Sequence, residues 1–368
     1  MNCHEISFRE SREGQILQNQ AYLYGLIGGN EHNKPFTSVE IDGKKESVIG
    51  FWHGNIGFVI SRAPTYSFSE LPREELVDWF IKHLNVIEMI HKTYPLVPVK
   101  LGTVIDDVKT IQQLLVQNEG QFSQLLDSLA GKNEWNLTVH WCDLPQILAS
   151  VSEEEAIKTH KERIVAAGQI SQQELIKVGE MISAALNRQK KKIQSKILDE
   201  LAPLIAEYYI NEVTDDEIVL SLAMLVNLGQ EEEIKIKLAA LDIGLLQEYG
   251  TELDFQMVGP MPPKSFATIE LNKITGEQLE TARNFLELPI CANLTQIKDA
   301  KRTLLRISHP DINPSGESER LQNEQVQKII AATGLLEEYC RHFSYCYLPE
   351  KPEDSYVFRI ITSDKSHS

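Results

Sequence analysis

The 368-residue chain predicts an α+β fold in three parts: two mixed α+β domains with long helices, then a small all-helical domain. Three observations carry this expectation. Short apolar and β-branched runs alternate with helix-period segments up to about residue 271, and after that only helical periodicity remains until the tail. The apolar fraction of 42% and the charged fraction of 24% are ordinary for folded protein. The charge also shifts: residues 1–271 hold about −15 of the net −17, while 272–348 are near neutral, which marks a boundary close to 272.

Residues 1–20 read as a polar arm. The run AYLYGLIGG (21–29) is a short buried strand ended by glycines, and 47–64 are two strands hinged at Gly54-Asn55. A helix follows Ser69, with Leu76, Phe80, Leu84, Ile87 and Ile90 predicted as its buried face, and Pro95 closes it. The segment 96–105 returns as a strand. Two short helices lie near 106–117 and 119–130, and 134–143 form another strand. The order β-β-α-β-α-β over 21–145 fits a ferredoxin-like sheet with helices on one face. Trp135 and Trp141 then share a face of their strand, and at least one is expected to be buried against a helix of this first domain. Residues 146–271 are expected as a second ferredoxin-like α+β domain with a long helical excursion, a strand at 216–228, a helix at 231–249 and a strand at 253–263. Residues 277–345 read as three helices (277–287, 295–307 and 319–343). The tail, 346–368, is polar, although Tyr356–Ile361 has the alternation of a short docking strand.

Charge, hydropathy and motif content speak against several function classes. A net charge of −17 repels nucleic acid and anionic lipid. The basic run RQKKKIQSK (188–196) is expected as a solvated helix face flanked by acidic residues. The N-terminus lacks the hydrophobic stretch of a signal peptide. The longest apolar run, Ile218–Val226, is far shorter than the about 20 residues a membrane helix needs. Five cysteines without CxxC spacing read as reduced thiols. There is no GxxxxGK[ST], GxGxxG or GxSxG motif and no HExxH spacing. His83 and His91 lie on one helix and are expected on its surface. The expectation is a cytoplasmic protein that is not an enzyme, with no cofactor, no metal, no nucleic acid and no membrane partner.

One constellation stands out. Lys298, Lys301, Arg302 and Arg306 recur at helical spacing opposite Ile297, Ala300, Leu304 and Ile307, and the helix runs into His309-Pro310-Asp311. A basic face ending in a proline-fixed turn suits an acidic partner. The stretch from FLELPICANLTQIKDA through KRTLLRISHPD to VQKIIAATGLLEEY resembles a J domain, in order, across its three helices. By that resemblance His309, Pro310 and Asp311 would contact an Hsp70-type ATPase, with Lys298, Arg302 and Arg306 steering the approach. Lys301 and Ser308 stand where the J domain usually has aromatic residues.

The larger resemblance spans 21 to about 270. The blocks AYLYGLIGG, PLVPVKLGTVI, LAGKNEWNLTVHW and VGPMPPKSF together resemble the gas vesicle F/L accessory proteins. The resemblance implies a gas vesicle-associated assembly factor. It would bind the small, very hydrophobic shell protein and other gas vesicle accessory proteins, and support shell formation. Pro260, Pro262 and Pro263 in GPMPPKSF are a candidate contact with the shell protein. The alternatives are a minor structural component of the shell and a general J-domain co-chaperone.

Overall fold

The computed structural model describes residues 20–29, 35–166, 168, 171–307, 319–342, 348 and 353–363. Its first sheet contains β1 (Ala21–Gly28), β2 (Thr37–Ile41), β3 (Lys44–His53), β4 (Ile56–Arg62), β5 (Leu96–Pro98) and β6 (Val104–Ile105). The order is β2-β3-β4-β1-β5, with β6 also on β1. The central strand β1 is buried along nearly its whole length, as its unbroken apolar run requires of a strand covered on both faces. Helix α1 (Arg73–His91) covers one face, where Tyr22, Tyr24, Val59, Trp79, Val86 and Ile87 form a core. Helices α2 (Val108–Gln117) and α3 (Glu119–Leu129) cover the other, against Leu23, Leu26, Phe58 and Ile60. The expected single layer of helices is therefore two, because β1 and β4 are apolar on both faces.

The buried face of α1 also differs from expectation. It consists of Trp79, His83, Val86, Ile87 and Ile90, while Phe80 is 44% exposed. The helix carries apolar residues nearly all round, so the 3.6-residue period alone does not select a face.

The second sheet holds β7 (Lys132–Trp141), β8 (Glu207–Ile210), β9 (Ile218–Asn227) and β10 (Leu253–Met261), in the order β10-β7-β9-β8, all antiparallel. With α4 (Leu144–Ser152), α5 (Glu155–Ala166) and α6 (Gln172–Leu201) between β7 and β8, and α7 (Glu231–Tyr249) between β9 and β10, this is the ferredoxin-like order. The strand near 134–143, expected to complete the first domain, is instead an inner strand of this second sheet. Trp135 and Trp141 are both buried, in the core formed with α4, α6 and α7 rather than against a helix of the first sheet. The first sheet, without that strand, does not have the ferredoxin-like order.

After β10 the chain returns to the first sheet. β11 (Thr268–Ile274) meets its edge through a parallel bridge between Val99 and Ile269. Helices α8 (Gly276–Phe285), α9 (Leu294–Ile307) and α10 (Glu319–His342) follow. Reciprocal Thr275–Gln278 and Asn293–Gln296 hydrogen bonds start α8 and α9 as capping boxes. Leu279, Ile297, Ile329, Leu336 and Tyr339 form the core of this helical unit. The tail supplies β12 (Ser355–Ile361), which pairs with β11 over its full length.

Candidate functional site

Helix α9 presents the charged face that the sequence pattern requires. Ile297 is fully buried, and Ala300 and Leu304 pack beside it. Lys298, Arg302 and Arg306 are exposed, Lys301 is half-buried, and Arg302 Nη1 lies 3.5 Å from Asp299 Oδ1. Ile307, expected on the apolar face, is 53% exposed at the last turn. His309, Pro310 and Asp311 lie outside the described residues.

The proline segment does not form one exposed ridge. Pro262 and Pro263 are buried, and only Pro260 is exposed. Their burial follows from Glu134, fully buried on β7, whose carboxylate accepts hydrogen bonds from Ser265 N and Ser265 Oγ, each at 2.8 Å. This pins the 262–267 turn to the sheet, where Phe266 packs against Tyr209, Ala223 and Leu225. Burial pushes the Glu134 carboxyl above its ordinary value, and the two Ser265 bonds oppose that shift. Gly259, just before this turn, has no room for a side chain: a Cβ there would sit 2.6 Å from the Trp135 ring.

Pro260 and Pro262 line a cleft of about 630 Å³ between the two sheets, with His91, Tyr94, Lys132, Asn133 and Leu228. His91 Nε2 donates to Asn133 Oδ1 at 2.8 Å and so ties α1 to β7. Burial lowers the His91 pKa from its ordinary value, and the Asn133 hydrogen bond opposes that shift. His83, expected at the surface, is buried: its Nδ1 lies 2.8 Å from Tyr22 Oη, and its ring stacks on Tyr24. Burial pushes the His83 pKa down to about 4, against a hydrogen bond to the Val99 backbone.

The basic run on α6 pairs with acidic neighbours. Arg188 meets Glu154 at 2.8 Å, Lys190 lies 3.6 Å from Asp216, and Lys196 pairs with Glu248. Among the described residues, no group of three or more His, Cys, Asp or Glu side chains is placed to hold a metal ion, and no helix is long and apolar enough to cross a membrane.

A feature that the sequence did not pair is the β11–β12 ribbon. Its two faces belong to different cores. Leu271, Tyr356 and Phe358 face the core of the first sheet, while Ile274 and Val357 face the core of the helical unit. Glu270, 6% exposed, receives hydrogen bonds from Lys100 and, across the ladder, from Arg359. Burial opposes its charge, yet these two cations hold its pKa below the ordinary value.

Comparison with known proteins places this two-sheet body. Gas vesicle protein F of Dolichospermum flosaquae is 24% identical over 253 residues, covering 68% of this chain and 98% of that protein. Gas vesicle protein F of Microcystis aeruginosa is 23% identical over 248 residues, covering 67% and 93%. The crystal structure of GvpF from Anabaena sp. PCC7120 matches with a TM-score of 0.56 at 20% identity, over 67% of this chain and 97% of that one. That of GvpF from Microcystis aeruginosa matches with a TM-score of 0.53 at 22% identity, over 67% and 98%. Both structures share the fold of the two-sheet body. Residues 20–268 match the family described as Gas vesicle synthesis protein GvpL/GvpF, and by that match, over more than half its length, the chain belongs to this family.

Proposed function

We propose that this protein is a cytoplasmic, non-enzymatic gas vesicle assembly factor whose two-sheet body binds the small hydrophobic shell protein and supports shell formation, together with other accessory proteins. The observation that carries this reading is the extent of the family match: it covers both sheets and stops at residue 268, before the helical unit. The family is described by gas vesicle synthesis and not by a catalysed reaction.

The surface supports the same reading. Ile236, Ala240 and Ile243 share the outer face of α7, with Ile236 71% and Ile243 62% exposed. Leu228, 64% exposed, lies at the cleft beside Pro260. A large apolar partner gains by covering such residues at roughly 25 cal/mol per Å² before the costs of association. Shell contact is therefore assigned to the α7 face and to Pro260, with Pro262 and Pro263 supporting the turn from inside.

The test is a pull-down of the small shell protein by the full chain. Ile236→Asp with Ile243→Asp should abolish capture while leaving the melting transition in place. Undiminished capture by the double variant would remove α7 from the reading, and no capture by the wild type would overturn it. Fractionation decides against a structural shell component if the protein leaves washed vesicles.

The exposed Lys298, Arg302 and Arg306 on α9 favour a second role, recruitment of an Hsp70-type ATPase through the helical unit. Stimulated ATP hydrolysis that depends on these residues is its test.

A further inference from the structure

The family match ends at residue 268, which is also the first residue of β11. Residues 355–361 lie beyond the family match, which covers the two-sheet body. In this chain residues 355–361 nevertheless run along β11 in an unbroken antiparallel ladder, from Thr268↔Ile361 to Ile274↔Ser355. Both ends are fastened by further bonds: Ser363 N donates to Ser265 O at 2.8 Å, and Gly276 N donates to Asp354 Oδ1 at 3.1 Å.

The side chains along this ladder have the complementarity of a ligand in a site. The Phe358 ring lies 4.8 Å from that of Phe122 on α3. Tyr356 Oη donates to Asp106 Oδ2 at 3.0 Å, and Lys273 Nζ bridges Asp106 at 2.7 Å and Asp354 at 3.1 Å. Arg359 meets the buried Glu270. Main-chain pairing gives such a peptide its attraction, and alternate side-chain pockets give it sequence preference, as in strand addition to a sheet edge.

We propose that the edge of β11 is a strand-acceptor site for an extended peptide carrying alternating aromatic residues and an arginine, and that residues 355–361 are its built-in ligand. Because Val357 of that ligand is fully buried in the helical unit, occupancy of the site docks the helices onto the body. The site does not depend on shell-protein binding and stands or falls separately from it.

The experiment uses the full chain with a protease site placed within residues 349–352. After cleavage, the 353–368 fragment should co-elute with the remainder in gel filtration, and an excess of fluorescent 353–368 peptide should replace it. Peptides carrying Arg359→Glu or Phe358→Ala should bind at least roughly tenfold more weakly, the equivalent of one ionic or ring contact. Three results would overturn the proposal. The fragment could dissociate with no rebinding at tens of micromolar peptide. The cleaved chain could lose its buried-tryptophan fluorescence, which would make β12 part of the body's own fold. The Arg359→Glu and Phe358→Ala peptides could also bind as well as the native one, which would remove the sequence preference.

Discussion

Phe358 sits 4.8 Å from Phe122, so a residue of the C-terminal tail completes the core of the N-terminal sheet. Its neighbour Val357 points the other way, into the helical unit, with no exposed surface. One dipeptide thus joins two cores, and the two substitutions should separate. Phe358→Ala should destabilise the chain by about 1–3 kcal/mol, since the ring is half-buried. It should speed amide exchange in β11 and α3. Val357→Ala should act instead on α8 and α10. Hydrogen exchange read by mass spectrometry distinguishes the patterns, and identical patterns would contradict the two-faced ribbon.

Much of this fold was legible in the sequence, and the rest was not, for physical reasons. The helices at 108–117 and 294–307 carry their own amphipathic periodicity, and the helix at 231–249 is bounded by its acidic first turn and by Gly250, so local pattern located them. The strand at 132–141 was also legible, but not its sheet, because its partners β9 and β10 lie far along the chain and pairing choice is not a local property. The buried Trp79 and exposed Phe80 on α1 are adjacent, and only the position of the sheet decides between them. At the candidate site, the basic residues of α9 were readable from spacing. The burial of Pro262 and Pro263 was not, since it depends on Glu134, a carboxylate distant in sequence.

Glu134 should be sensitive to removal. Glu134→Ala takes away both acceptors of the half-buried Ser265, and leaving its donors without partners beside a fully buried position costs about 1 kcal/mol or more. Glu134→Gln keeps one carbonyl acceptor and should cost less. Denaturant titration of the two variants provides the comparison, and equal losses would mean that packing, not hydrogen bonding, holds the turn.

His83 gives the stability a pH dependence of known sign. Its pKa falls from an ordinary value of 6.5 in the unfolded chain to about 4 when buried. Between these values the unfolded chain binds the proton that the folded chain refuses, so stability must fall as pH drops from about 6.5 to about 4. His83→Phe loses the Tyr22 hydrogen bond but removes this titration. Its stability should therefore be lower at neutral pH and flatter across that window. An unchanged slope in the variant would assign the acid sensitivity to other groups.

Acid should also loosen the ribbon. Lys273 lowers the pKa of Asp106, a backbone bond from Gly276 lowers that of Asp354, and Lys100 with Arg359 lowers that of Glu270 against the effect of burial. Depressed carboxyl values mean that the stabilisation is present above the ordinary carboxylate range and is lost as pH falls through the folded values. Exchange of β12 amides, corrected for intrinsic rate, should accelerate there. In Glu270→Gln the acceleration should be smaller, because one of the titrating groups is gone.

Stimulation of an Hsp70-type ATPase by the helical unit can be tested directly. The full chain is the right material, because a fragment ending near residue 348 would lack Val357 and with it part of the unit's core. Lys298, Arg302 and Arg306 are exposed on α9, and attraction between exposed charges is screened over about 8 Å at physiological ionic strength. Stimulation of ATP hydrolysis should therefore be present at low salt and weaken as salt is added. Arg302→Glu should reduce it by replacing attraction with repulsion, and the ion pair of this residue to Asp299, at 3.5 Å, is too exposed for its loss to unfold the helix. His309→Gln should abolish stimulation while the melting transition stays put. A folded chain that stimulates nothing at low salt would make the unit a plain interaction module, with the half-buried Lys301 and the neighbouring Ser308 as the first suspects. Stimulation that survives His309→Gln would show that the ATPase is contacted elsewhere, and the α9 charge reversal would then show whether the basic face is involved at all.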